Sequence, residues 1–277
     1  MSTITAQDIN KLRKHTGQGM LDCRAALQET NGNFDEAVDF LRKKGAKVAA
    51  KRSDRDANEG IVLAKTNDAN KVGISLNVTS ETDFVAKNDD FIAFGNQLID
   101  IAVANDCKSL DELKSADFEG IPVSEKILEQ VGKIGEKIDV TSFERVEADY
   151  VAAYNHGGNR VAVLVGMTQE EAEAGKDVAM QIAAMNPVAL NRDSVSPEQI
   201  EREKKVIMES MKADPKMEGK PEQMLTKIAE GKLGAFFKEN TLMAQPFVKD
   251  GSKTVEQFLK ETNADLNLTE YKRLAVG

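Results

Sequence analysis

The spacing of apolar residues first changes character at Gly60, and that change constrains the fold more than any other feature. Before Gly60 the apolar residues recur at helical intervals. Ile9 and Leu12 share one face, Met20, Leu21, Ala25 and Leu27 supply a second, and Phe34, Ala37, Val38, Phe40 and Leu41 a third. Beyond Gly60 the alternation has period two, in Ile61-Val62-Leu63-Ala64 and Val72-Gly73-Ile74-Ser75-Leu76-Asn77-Val78. A small helical unit followed by a larger body of sheets and helices is the only simple arrangement that accommodates both periods.

The helical unit has clear punctuation. A first helix from about Thr5 ends at Thr16-Gly17-Gln18-Gly19, where two glycines permit a tight turn. A second, from about Met20 to Thr30, is stopped by Asn31-Gly32. Asn33, followed three residues later by Glu36, opens a third, with Gly45 expected as its C′ residue. Residues 1–45 are therefore read as a three-helix domain. Residues 46–59 are read as a basic linker, continuing a run that holds Arg42, Lys43, Lys44, Lys47, Lys51, Arg52 and Arg55. Such a run is ordinarily a solvated face, the alternative being contact with an acidic partner or RNA.

The body reads as two related α+β subdomains with antiparallel sheets, at 60–137 and 138–277. In the first, two strands joined at Asn67-Asp68-Ala69-Asn70 lead through Thr82-Asp83-Phe84-Val85 into a helix carrying Phe91, Ile92, Phe94, Leu98, Ile99 and Ala102. In the second, strand-like 138–141 and 146–151 precede Asn155-His156-Gly157-Gly158, the apolar strand 161–165 and a helix at 178–183. A helical hairpin interrupts it at about 196–230. Ser196-Pro197-Glu198-Gln199 starts that hairpin, Ile200, Ile207 and Met211 form its seam, and Pro215 and Pro221 punctuate its turn. The Met-bearing hairpin is a candidate for self-association or a solvated projection.

Chemistry is sparse. Asp and Glu outnumber Lys and Arg 46 to 37, giving a net charge of −9, and Trp is absent. Stable nucleic-acid binding normally needs the opposite balance and stacking aromatics. Two cysteines, Cys23 and Cys107, make no disulfide framework and no zinc site, which fits a reducing cytoplasm. The opening MSTITAQDIN has neither a basic n-region nor an apolar h-region, so a secretory leader is not expected, and no apolar stretch is long enough to span a bilayer. Gly17-Gln18-Gly19 continues to Asp22 where a dinucleotide loop needs glycine. Gly175-Lys176-Asp177 lacks the hydroxyl of a phosphate loop. His15 and His156 stand beside no nucleophile motif. No catalytic residue, cofactor or metal is expected, and the chain is not expected to be an enzyme.

Phe84 beside Asp83, on a loop between strand and helix, is suited to wedging into a partner; otherwise it is a core ring with Asp83 capping the next helix. Met20 and Leu21 beside the glycine turn are either a partner patch or core. His156 before Gly157 is either a contact or merely exposed.

These segments, in this order, resemble the translation elongation factor Ts family over almost the whole chain. Residues 12–27, running Leu12-Arg13-Lys14-His15-Thr16-Gly17-Gln18-Gly19-Met20-Leu21 and on to Leu27, are similar to its N-terminal signature. Thr82-Asp83-Phe84-Val85-Ala86-Lys87 is similar to its central one. His156-Gly157 with Arg160-Val161, then Gln245-Pro246-Phe247-Val248 and Ser252-Lys253-Thr254-Val255, match in register. Met243-Ala244 departs from a familiar Thr-Gly pair, and the sequence stops at Gly277, where some members add a C-terminal helix that contacts Tu. The resemblance implies a ubiquitin-associated-like N-terminal fold and a role as guanine nucleotide exchange factor for elongation factor Tu. It implies Leu12, Met20 and Leu21 as grips on the Tu nucleotide domain. Asp83 and Phe84 would act near its Mg²⁺ and phosphates, Thr82 and Val85 beside them would also bind Tu, and His156 and Gly157 would form a separate contact.

Overall fold

The computed structural model describes residues 4–217 and 220–277. Helices α1 (Ala6–Thr16), α2 (Met20–Glu29) and α3 (Phe34–Lys51) form the N-terminal unit. Thr5 and Asp8 make a reciprocal capping box at α1, and Gly17, at φ +67°, ends it. Asn33 caps α3 by accepting the Glu36 N–H. Leu12, Cys23, Ala26, Leu27, Ala37 and Leu41 make a small core.

In chain order there follow β1 (Glu59–Thr66), β2 (Val72–Ser80), the one-turn α4 (Asp83–Ala86), α5 (Asp89–Ala104) and α6 (Leu110–Ser115). Next come β3 (Asp117–Phe118), β4 (Ile121–Pro122), α7 (Val123–Ile134), β5 (Asp139–Glu147), β6 (Tyr150–His156) and β7 (Val161–Met167). The remainder is α8 (Ala172–Met185), α9 (Pro197–Ala213), α10 (Glu222–Asn240), β8 (Pro246–Phe247), β9 (Asp250–Thr254), α11 (Val255–Thr262) and β10 (Leu268–Ala275).

Two three-stranded antiparallel sheets, β1-β2-β5 and β10-β7-β6, pack face to face with helices on their outer sides. Alternation along β1 shows how. Ile61 and Leu63 face a core shared with Phe91, Phe94 and Leu98 of α5, whereas Val62 and Ala64 face Val151, Ala162 and Leu164 of the other sheet. The second sheet's outer face buries Val163, Val165 and Met167 against Val178, Ala179 and Ile182 of α8. Both faces of both sheets are covered, which is why β7 reads as an unbroken apolar run. Gly73 permits a close approach between the sheets: a Cβ there would lie 2.7 Å from side-chain carbons of Leu164 and Val151.

Four expectations change. First, α3 does not end at Gly45 but runs to Lys51, across the boundary expected at 45. Gly45 is buried mid-helix where α3 crosses α7, and a Cβ on it would sit 2.5 Å from the Leu128 carbonyl oxygen. Second, the strand at 138–147 does not open the second subdomain. It pairs with β2, Leu76 opposite Phe143, and completes the first sheet. Sequence neighbourhood alone does not tell a strand which sheet it joins. Third, the stretch expected as one strand at 146–151 is two, divided after Glu147 where the chain passes between sheets. Fourth, the helical hairpin extends past 230: α10 continues to Asn240, because Leu233, Phe236 and Phe237 root it against Ala189, Val195 and Ile200. Its start is as read, with the Ser196 hydroxyl accepting the Gln199 N–H and Pro197 at the first turn.

Candidate functional site

Thr82 caps α4 and Asn88 caps α5, so the backbone makes a single helical turn between β2 and α5. That turn sends Val85 and Ala86 inward and Phe84 out. Phe84 is 83% exposed, so the reading of it as a core ring is excluded. Nor does Asp83 cap the next helix: its carboxylate accepts from Lys87 Nζ at 2.6 Å, and that hydrogen bond holds it below the usual carboxylate range. A hollow lined by Phe84, Val85, Asn88, Asp90, Lys133 and Ile134 lies beside the ring.

The turn stands on a fixed base. The Thr82 N–H and hydroxyl donate to the two oxygens of Glu136, at 3.1 and 2.7 Å. Glu81 accepts the Lys137 N–H at 2.6 Å and both its oxygens accept from Arg52 Nη1 at 2.7 Å. Burial pushes the Glu81 carboxyl up, but the Lys137 N–H and the Arg52 guanidinium outweigh it and hold the group below its ordinary range. Arg55 adds a weaker pairing at 3.6 Å. Part of the basic run is thus spent inside the molecule: Arg42 on Glu129, Lys44 on Asp22, and Arg52 and Arg55 on Glu81.

The glycine turn of the N-terminal unit comes to the same neighbourhood. Gln18 is buried and donates to the Glu129 carbonyl at 3.2 Å. Gly17 packs on Lys133, which pairs with Asp90 at 3.2 Å in the rim of the Phe84 hollow. Leu21 is 80% and Met20 54% exposed. Leu12, expected as a grip, is fully buried in the helical core and offers no surface to a partner. In so small a unit an apolar residue on the inner helix face is needed for the core itself.

His156 and Gly157 lie on the β6–β7 turn, where Gly157 and Gly158 take φ of +62° and +66°. The exposed His156 shares a 2.9 Å hydrogen bond between Nδ1 and the Tyr154 hydroxyl. The turn is bound to β1. Asn155 accepts the Ala64 N–H at 2.8 Å and donates to its carbonyl at 3.0 Å, the Asn159 carbonyl accepts the Val62 N–H, and Arg160 pairs with Glu59. The Gln245-Pro246-Phe247-Val248 segment is mostly structural: Gln245 and Phe247 are buried, and Phe247 stacks on Phe258.

Glu81, Glu136 and Lys137 drew no attention in the sequence, because single charged residues in an acidic chain carry no spacing signal. Cys23 and Cys107 are both buried, and burial raises each thiol above its usual value. Among the described residues no three His, Cys, Asp or Glu side chains lie close enough to hold a metal ion, and no helix is long and apolar enough to cross a membrane.

Residues 81–277 match the family model described as Elongation factor TS. The chain is 47% identical to elongation factor Ts of Christiangramia forsetii over 280 residues, with all of each chain covered. The chain belongs to the elongation factor Ts family. Elongation factor Ts of Flavobacterium psychrophilum is 44% identical, again across the whole of both chains, and that of Thermobifida fusca is 42% identical over all of this chain and 99% of its own. The family model takes in the Phe84 turn, its Glu136 anchor, β5 and the whole second sheet, while the full-length elongation factor Ts relatives also cover the three N-terminal helices and strands β1 and β2.

Proposed function

We propose that this chain is the guanine nucleotide exchange factor of elongation factor Tu, acting in the cytoplasm on the GDP-bound form. Family membership gives the class of role. The observation that carries the reading is Phe84, a bulky ring 83% exposed on a firmly hydrogen-bonded turn beside the charged Asp83. Leaving such a ring in water costs apolar burial of about 1.5–3 kcal/mol, which a partner pocket recovers.

In this reading Asp83 and Phe84 enter the Tu nucleotide domain near its Mg²⁺ and phosphate contacts, Thr82 and Val85 hold them there, and Met20 and Leu21 grip the same domain. His156 and Gly157 meet a separate surface of it. Mg²⁺ and the phosphate loop hold GDP through charge-assisted contacts. A factor that binds best when those contacts are broken weakens GDP, and GDP weakens the factor by the same free energy. No covalent bond changes, so neither a nucleophile nor a general acid is required. GTP entry then expels the factor.

The test loads Tu with fluorescent GDP, adds excess unlabelled GDP and follows signal loss. Acceleration at substoichiometric amounts of this protein is the expected result. Binding without acceleration contradicts exchange and favours an adaptor role.

A further inference from the structure

Phe84 is surrounded by water on most of its surface, so its own contacts do not hold it in place. What holds it lies two and three residues upstream. The pairs Glu81-Thr82 and Glu136-Lys137 clasp each other in both directions. The Glu81 carboxylate accepts the Lys137 N–H at 2.6 Å, and the Glu136 carboxylate accepts the Thr82 N–H and hydroxyl at 3.1 and 2.7 Å. The Thr82 hydroxyl in turn accepts the Val85 N–H, and Ser80 Oγ donates to the Thr82 carbonyl at 3.0 Å. Lys137 Nζ closes the other side by donating to the carbonyls of Ser53 and Arg55, just past α3.

We infer that Glu136 is a positioning residue for Phe84: it fixes the base of α4 and so sets the direction in which the ring projects. This rests on the exchange reading above and adds to it a residue that need not touch Tu. The physical case is entropic. A four-residue helix forms too few internal hydrogen bonds to persist unaided. Ordering each backbone residue costs roughly 1–2 kcal/mol, so a loose turn incurs that cost when it binds. The bidentate Glu136 acceptor meets it during folding. Both protein donors are satisfied by charge-assisted bonds, the stronger kind.

The protein contains no Trp. A Phe84→Trp variant therefore carries a single indole whose fluorescence anisotropy reports motion of this turn without any partner. Glu136→Ala in that background lowers the anisotropy, and Thr82→Ser, which keeps both donors, leaves it unchanged. In GDP release from Tu, Glu136→Ala slows exchange about tenfold, the size of a lost charge-assisted hydrogen bond. Glu136→Ala added to Phe84→Ala slows it no further, because the carboxylate acts only through the ring.

Unchanged anisotropy on loss of Glu136 overturns the inference. So does a Glu136→Ala effect that multiplies with Phe84→Ala, which marks a general structural role. Circular dichroism confirms that each variant is folded. If Glu136→Ala does not fold, Glu136→Gln, which keeps the side chain's length but removes its charge and one acceptor oxygen while leaving the Thr82 cap of α4 intact, carries the same two tests and the same expected directions. If the wild type fails to accelerate release while the anisotropy responds to Glu136, the exchange reading is what has failed.

Discussion

Gly45 of α3 and Gly132 of α7 meet backbone to backbone: a Cβ built on Gly132 would stand 3.1 Å from the Gly45 Cα. With Gln18 and Arg42 both bonded to Glu129, this crossing seats the N-terminal helices on the body. Gly45→Ala would drive its methyl against the Leu128 carbonyl at 2.5 Å, and backbone cannot yield as a side chain can. The expected loss is about 1–3 kcal/mol, read as a lower urea midpoint. Gly231→Ala, where an added Cβ meets nothing within 4 Å, serves as the control and is expected not to destabilise. Equal behaviour of the two variants would contradict a tight crossing.

Glu81 gives the protein an acid-side weakness. Its folded-state pKa lies below its unfolded value, so its contribution is present above the unfolded value, about 4.3, and is lost as pH falls through the folded one. Wild type is therefore expected to lose stability below about pH 4.3. Glu81→Gln, less stable at neutral pH, should lose less on acidification. Parallel curves for the two, from urea titrations across that range, would remove Glu81 as a cause.

Asn155 takes the place of a neighbouring strand at the outer edge of β1, receiving one hydrogen bond from Ala64 and returning another. Asn155→Ala leaves both backbone groups to water or to nothing. A loss of about 1 kcal/mol is expected by thermal unfolding, with faster amide exchange at Ala64 than at Leu63. Protection at Ala64 that matches wild type would show that the side chain is dispensable.

Leu21, four-fifths exposed, separates binding from folding. Leu21→Ala should change stability by less than about 0.5 kcal/mol. It should weaken the complex with nucleotide-free Tu about tenfold, a step of 1.4 kcal/mol. Calorimetry measures the second and urea unfolding the first. Wild-type affinity would remove the glycine-turn patch from the interface.

The sequence made local features legible and left long-range ones open. The helix start near Thr5, the caps at Asn33 and Ser196 and the β1–β2 turn follow from side chains and the backbone beside them, and all are found. Gly45 could not be judged from its surroundings, since a glycine after a helix and one inside a helix crossing look alike until α7 is placed. The allocation of β5 to the first sheet depends on the pairing of Leu76 with Phe143, which no neighbouring residue announces. At the site, Phe84, Met20 and Leu21 were conspicuous because they are bulky beside turn residues. Leu12 has the same chemistry and is buried, because spacing tells which face a residue shares but not whether that face is inner. Glu136 was invisible because its meaning lies wholly in its distance to Thr82.

The most direct test of the account compares wild type with Phe84→Ala in the release of labelled GDP from Tu, at factor concentrations that saturate the complex. Wild type is expected to accelerate release catalytically. The variant, equally folded, should be slower by about thirtyfold, the equivalent of the 2 kcal/mol carried by a buried aromatic contact. Equal rates for the two proteins would contradict a wedge at Phe84, and no acceleration by wild type would contradict the exchange function itself.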